Sequence, residues 1–110
     1  MKPDEGRRAL AAYQAGDSDE LATAVRYLLE ELGSRHEGNS VEVRVPPFGA
    51  VQCIEGPRHT RGTPPNVVEL GGEDWVALAM GAKDWDALLA AGRINASGTR
   101  ADLSAFLPLV

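Results

Sequence analysis

The sequence predicts an α+β fold in a single domain, on three observations. Apolar residues recur at helical spacing before residue 40, alternate strictly just after it, and return to helical spacing beyond residue 70. The chain is 110 residues long with 44% hydrophobic and 25% charged side chains, enough for one real core. No low-complexity segment, repeat or linker divides it. The expected organisation is N-terminal helices over 1–40, strands with a proline-rich basic loop over 41–70, and helices, a strand and a closing helix over 71–110.

The elements follow in order. A weak helix around Glu5 to Ala15 is expected to end at Gly16. In "DSDELATAVRYLLEEL", Asp17 reads as a cap and Glu20 as the return arm of a capping box. Leu21, Val25, Leu28, Leu29 and Leu32 then form one stripe, and Gly33 is expected to stop the helix. Tyr13 and Tyr27 read as packing groups. In "SVEVRV", Val41, Val43 and Val45 share one face of a strand, which Pro46-Pro47 breaks. "AVQCIE" and "NVVEL" are further strands, the first carrying Ile54 within it. "GGEDWVALAMG" is a short helix closed by Gly81. "DWDALLAAG" is another, capped by Asp84 and ended by Gly92, with Trp85, Leu88 and Leu89 on one face. "RINAS" is a fourth strand, and "TRADLSAFLPLV" reads as a closing helix capped by Thr99.

Composition excludes several functions. A net charge of −5 does not suit a nucleic-acid binder, which needs a basic footprint. The longest apolar runs fall well short of a membrane span. "MKPDEGRRAL" mixes acids with bases and lacks the apolar stretch of a signal peptide. The lone cysteine makes no internal disulfide and fits a reducing cytoplasm, so a cytoplasmic location is expected. One cysteine and two distant histidines do not give zinc-ligand spacing, and no metal or cofactor is expected.

The stretch "CIEGPRHTRGTPPN" is a basic island, since residues 41–66 carry a net +1 within this acidic chain. Cys53 and His59 invite a nucleophile pair, but no aspartate lies nearby to orient the histidine. A lone strand cysteine is more often a small buried hydrophobe. Arg58, His59 and Arg61, stiffened by prolines, suit a carboxylate or phosphate better. Equally, the arginines could pair with Glu73, Asp74 or Glu55 of the same protein. The loop therefore reads as a head-group or partner contact rather than a catalytic centre.

The run "GAKDWDALLAAGRINASGTRADLSAFLPL" resembles the C-terminal half of the sterol carrier protein family. There a helix ends in Gly near Lys, a short helix ends in Gly, and a strand ends in Gly. The matching positions are Gly81 with Lys83, Gly92 followed by Arg93, and Gly98. The whole chain is also similar to short bacterial sterol carrier family proteins, whose middle reads much like "VRVPPFGAVQCIEGPRHTRGTPPNVVE".

The resemblance implies a mostly antiparallel curved sheet of about five strands, helices packed on one face, and a cavity between the layers. It implies a carrier or binding module for an apolar small molecule, fatty acyl or isoprenoid-like, with transient membrane contact open and oligomeric state unspecified. Trp75, Leu78, Trp85, Leu88, Leu89, Leu103 and Phe106 would line the site, and Arg58, His59 and Arg61 would meet a head group. A core wall is then also the binding wall. Two other classes stay open: an enzyme using the loop over 53–61, by analogy with thiol-dependent isomerases that carry such a domain, and a protein-binding accessory domain with a solid core. If the loop holds acidic head groups, Arg58→Ala with Arg61→Ala weakens binding of acids relative to neutral analogues by about tenfold or more. A double variant that loses thermal stability but keeps the acid-to-neutral ratio makes the loop structural.

Overall fold

A computed structural model of the protein describes residues 1–56 and 66–110. Four strands form its sheet: β1 (Val41–Val45), β2 (Gly49–Cys53), β3 (Asn66–Leu70) and β4 (Ile94–Ser97), in spatial order β2-β1-β3-β4. β2 pairs antiparallel to β1 through the turn at Pro46-Pro47-Phe48, where the Phe48 N–H donates to the Val45 carbonyl at 2.8 Å. β3 pairs parallel to β1, and β4 antiparallel to β3. The sheet is therefore mixed, with four strands among the described residues, where about five mostly antiparallel ones were expected. The register gives the reason. Cys53 and Asn66 both flank Val41, so the chain leaves one edge of β1 and re-enters on the other. The step from β2 to β3 passes over β1, and that one skipped neighbour makes β1 and β3 parallel.

One face of this sheet is buried, as its alternation requires. Val41, Val43, Val45 and Val68 have no exposure, while Glu42, Arg44 and Glu69 on the opposite face are half-exposed. Two helices come first in the chain. α1 (Pro3–Gln14) starts with proline and carries Asp4 and Glu5 in its first turn, where carboxylates suit the positive helix end. α2 (Leu21–Arg35) buries Val25, Leu28, Leu29 and Leu32 of the predicted stripe, while Leu21 at its start is half-buried. Tyr27 is buried too, and Tyr13 packs partly against the core, so both tyrosines are packing groups.

The ends of α2 differ from expectation. Asp17 caps a separate 3-10 turn (Ser18–Glu20), accepting from the Asp19 N–H at 3.1 Å, and Glu20 makes no side-chain cap bond. Gly33 does not stop the helix, which runs on to Arg35. A Cβ on Gly33 would lie 2.8 Å from the Val51 Cγ2 atom, so the glycine serves close approach of α2 to β2 rather than termination. Ile54 also leaves its expected strand. β2 ends at Cys53, and Ile54 sits in the left-handed region at φ 65°, unusual for a β-branched residue. Its backbone is held on both sides: the N–H donates to the His36 carbonyl at 2.6 Å, and the carbonyl accepts from the Ser40 hydroxyl at 2.6 Å.

The second half forms α3 (Gly72–Ala79) and α4 (Trp85–Ala90), then β4 and a tail. No closing helix forms over 99–110; only Ser104–Phe106 makes a 3-10 turn. Asp102 accepts from the Ser104 N–H at 2.8 Å, a local turn that competes with helix, and Pro108 bars a helix further on. The tail instead runs over the end of α3. Its Leu109 N–H donates to the Ala79 carbonyl at 2.7 Å, Arg35 donates to the Leu109 carbonyl, and Ala101, Leu103 and Leu109 are buried.

Candidate functional site

The α3 segment "GEDWVALA" is short and apolar, and it is sunk so deeply that Asp74, Trp75, Val76, Leu78 and Ala79 are all buried. Burying an aspartate is costly unless its charge is answered. Two cations answer it. The Lys83 ammonium donates to Asp74 Oδ1 at 3.1 Å, and the Arg93 Nε–H donates to Oδ2 at 2.7 Å. Burial by itself would push the Asp74 carboxyl up. The hydrogen bonds and charges of Arg93 and Lys83 outweigh it and hold the group below its ordinary value of 3.8.

Both cations arrive by the same device. α3 is followed by Gly81 at φ 77° and α4 by Gly92 at φ 73°, the left-handed conformation that glycine adopts without penalty. The chain folds back at each: the Lys83 N–H donates to the Ala77 carbonyl at 3.2 Å, and the Arg93 N–H to the Leu88 carbonyl at 2.9 Å. The glycine-then-cation pattern of the sequence is thus a means of delivering two positive charges to one buried carboxylate.

Beside this triad, the α3–α4 turn and the tail enclose a cleft of about 310 Å³. Leu78 and Trp85, both buried, form its floor, half-buried Leu107 one wall, and exposed Lys83, Asp84, Ser104 and Pro108 its rim. Asp84 is engaged as the α4 cap, accepting from the Ala87 N–H at 3.3 Å.

The residues expected at the site are distributed unevenly. Leu78 and Trp85 meet at the cleft floor, and Leu88 and Leu103 are buried in the adjoining core. Trp75 has no exposure and lies deeper, its indole N–H donating to the Val25 carbonyl at 3.3 Å. Phe106 is half-buried and meets His36 edge-on, with ring centroids 4.9 Å apart. Leu89, expected on the buried face of α4, is 43% exposed. It stands about 100° around the helix from Leu88, and six residues give α4 only a narrow buried stripe. Arg58, His59 and Arg61 lie outside the described residues. Cys53 is wholly buried, and burial pushes its thiol up to about 11, so it is protonated at neutral pH. Among the described residues, no group of three histidines, cysteines or carboxylates is arranged to hold a metal, and no helix is long and apolar enough to cross a membrane.

The Asp74 triad was not expected as a unit. Its components were visible: an acid at an inward position of an apolar helix, and a basic residue close after each helix-ending glycine. The missing step was geometric, since Lys83 and Arg93 lie 9 and 19 residues from Asp74.

A four-stranded mixed sheet with helices, two of them short and each turned by glycine toward one carboxylate, defines a small α+β domain. Residues 17–109 match the family model described as bacterial SCP ortholog, and the chain belongs to that family. No curated protein matches it.

The triad sets an acid limit to stability. Because the folded Asp74 has a lowered pKa, its contribution is complete above its unfolded value and is lost as pH falls through the range below about 4. Urea unfolding of the native protein and of Asp74→Asn is therefore expected to differ by about 2 kcal/mol near pH 7, the gap closing toward pH 3. A gap that stays constant with pH removes the ion pairs as its cause.

Proposed function

We propose that the protein binds or carries an apolar or lipid-like small molecule, fatty acyl or isoprenoid in character, entering at the cleft between the α3–α4 turn and the tail. The observation that carries this reading is the cleft floor. Leu78 and Trp85 belong to the main core cluster and also line a recess that reaches the surface, so a ligand there would extend the core outward. Membership of the bacterial SCP ortholog family supports the same reading. Leu88 and Leu103 belong to the same core cluster as Leu78 and Trp85, and Phe106 packs partly against it. A volume of about 310 Å³ is at the small end for ligand pockets, which fits a short chain or one end of a longer one.

Trp85 makes the test direct. A panel of fatty acids, acyl-CoAs and isoprenoid alcohols is expected to change tryptophan emission and to displace an environment-sensitive apolar probe. Native mass spectrometry of the purified protein should show a bound apolar adduct. Leu107→Asp, at the half-buried cleft wall, should weaken binding by about tenfold. No emission change and no displacement across the panel would end the carrier reading in favour of a solid-core interaction domain.

A further inference from the structure

Arg93, one of the two cations of the Asp74 triad, lines a different recess. With Pro46, Glu69, Gly71, Gly92 and Asn95 it borders a hollow of about 280 Å³ that shares no lining residue with the α3–α4 cleft. The sheet gathers these groups. Glu69 and Asn95 are direct partners in the β3–β4 pairing, Gly71 joins β3 to α3, and Gly92 with Arg93 leads into β4. The walls carry one charge of each sign: Glu69 is half-buried, and the Arg93 side chain is 56% exposed. None of the ion pairs among the described residues joins the two. Arg93 is tethered instead by its Nε–H to Asp74 at 2.7 Å. A guanidinium has five N–H donors in a fixed fork, so most of its capacity is left for another acceptor.

The neighbouring charges keep this balance. Lys83 takes the other oxygen of Asp74 and lines the cleft, not the recess. Arg44, beside Glu69 in the β1–β3 register, donates to Glu42, and exposed Glu73 is not part of the wall. Gly71 adds a separate observation. Its backbone is extended, at φ −74° and ψ 161°, a conformation open to any residue. A Cβ there would meet no atom within 4 Å among the described residues. Neither strain nor packing calls for glycine, whose effect is to leave bare backbone at the recess wall.

We infer that this recess binds a small α-amino acid, its carboxylate on the Arg93 fork and its ammonium on Glu69. A lone anion would face the Glu69 carboxylate, and a lone cation would face Arg93; a zwitterion satisfies both walls. The Asn95 amide adds a donor and an acceptor between them. Asp74 positions the site, because it fixes the guanidinium before the ligand arrives. The volume, at the small end for ligand pockets, suits a compact molecule. This site stands or falls separately from the carrier reading.

The test is a ¹H–¹⁵N NMR titration of the full chain near pH 7 and at low salt, with L-alanine, N-acetyl-L-alanine and L-alaninamide. The two analogues each lack one of the two charges. L-alanine should shift the Gly71, Gly92 and Asn95 amides and bind about fivefold or more tightly than either analogue. Glu69→Gln should bring L-alanine down to the level of N-acetyl-L-alanine. Arg93→Lys keeps a cation for Asp74 but loses the fork. It should weaken L-alanine and N-acetyl-L-alanine alike while leaving L-alaninamide within about twofold. Thermal melts check that both variants fold, and Glu69→Gln, outside the triad, keeps the test decisive if Arg93→Lys does not. Shifts that are absent or scattered away from the recess overturn the inference. So do analogues that match L-alanine in the native protein, or a preference for L-alanine that survives Glu69→Gln.

Discussion

A single buried carboxylate organises the second half of this protein. Asp74 sits in the first turn of a helix that is otherwise apolar and almost entirely enclosed, so the chain after it has to supply positive charge within hydrogen-bond reach. It does so twice, each time by ending a helix at a glycine and turning back. Those two turns fix where α4 starts, where β4 enters the sheet, and how the tail can cross the end of α3. The cleft follows from this arrangement, because the α3–α4 turn is one of its walls and Lys83 is part of its rim. A surface ion pair is worth little, but one that answers a buried charge governs whether the helix can be buried at all.

Much of this architecture was legible in the residues. The alternation of Val41, Val43 and Val45 identified the covered face of the sheet, and the Val25–Leu32 stripe identified the helix face laid against it. These patterns are local, and local period is what sequence carries best. Pairing order is not local. Nothing in "AVQCIE" or "NVVEL" states that these two strands flank β1 on opposite sides, so the parallel β1–β3 contact was missed. Gly33 misled for a related reason. The residue type is right for a helix end, but its purpose is the approach to Val51, a contact 18 positions away.

The tail shows competition within a segment. Leu103, Phe106 and Leu107 have helical spacing, yet the Asp102 turn and Pro108 favour an irregular strap, and the Ala79 carbonyl at the end of α3 accepts the Leu109 N–H. The same strap supplies Leu107 and Pro108 to the cleft. Of the site itself, Leu78 and Trp85 were readable as an apolar wall, whereas the charged rim was not. Its Lys83 is set by the Asp74 triad, whose three residues are spread over 20 positions and become a unit only through the two helix turns. The glycine–cation pattern of this sequence is, in physical terms, the record of that triad.

The central claim is that Asp74 and Arg93 are energetically coupled across the fold, with Lys83 as the second and more available partner. A double-mutant cycle tests it most directly, using Asp74→Asn and Arg93→Gln singly and together, with urea unfolding at neutral pH. A coupling above about 1 kcal/mol is expected for a charge-assisted pair with one buried member. Additivity within about 0.5 kcal/mol would contradict the claim, leaving the burial of Asp74 and the geometry of the cleft to be explained by packing alone.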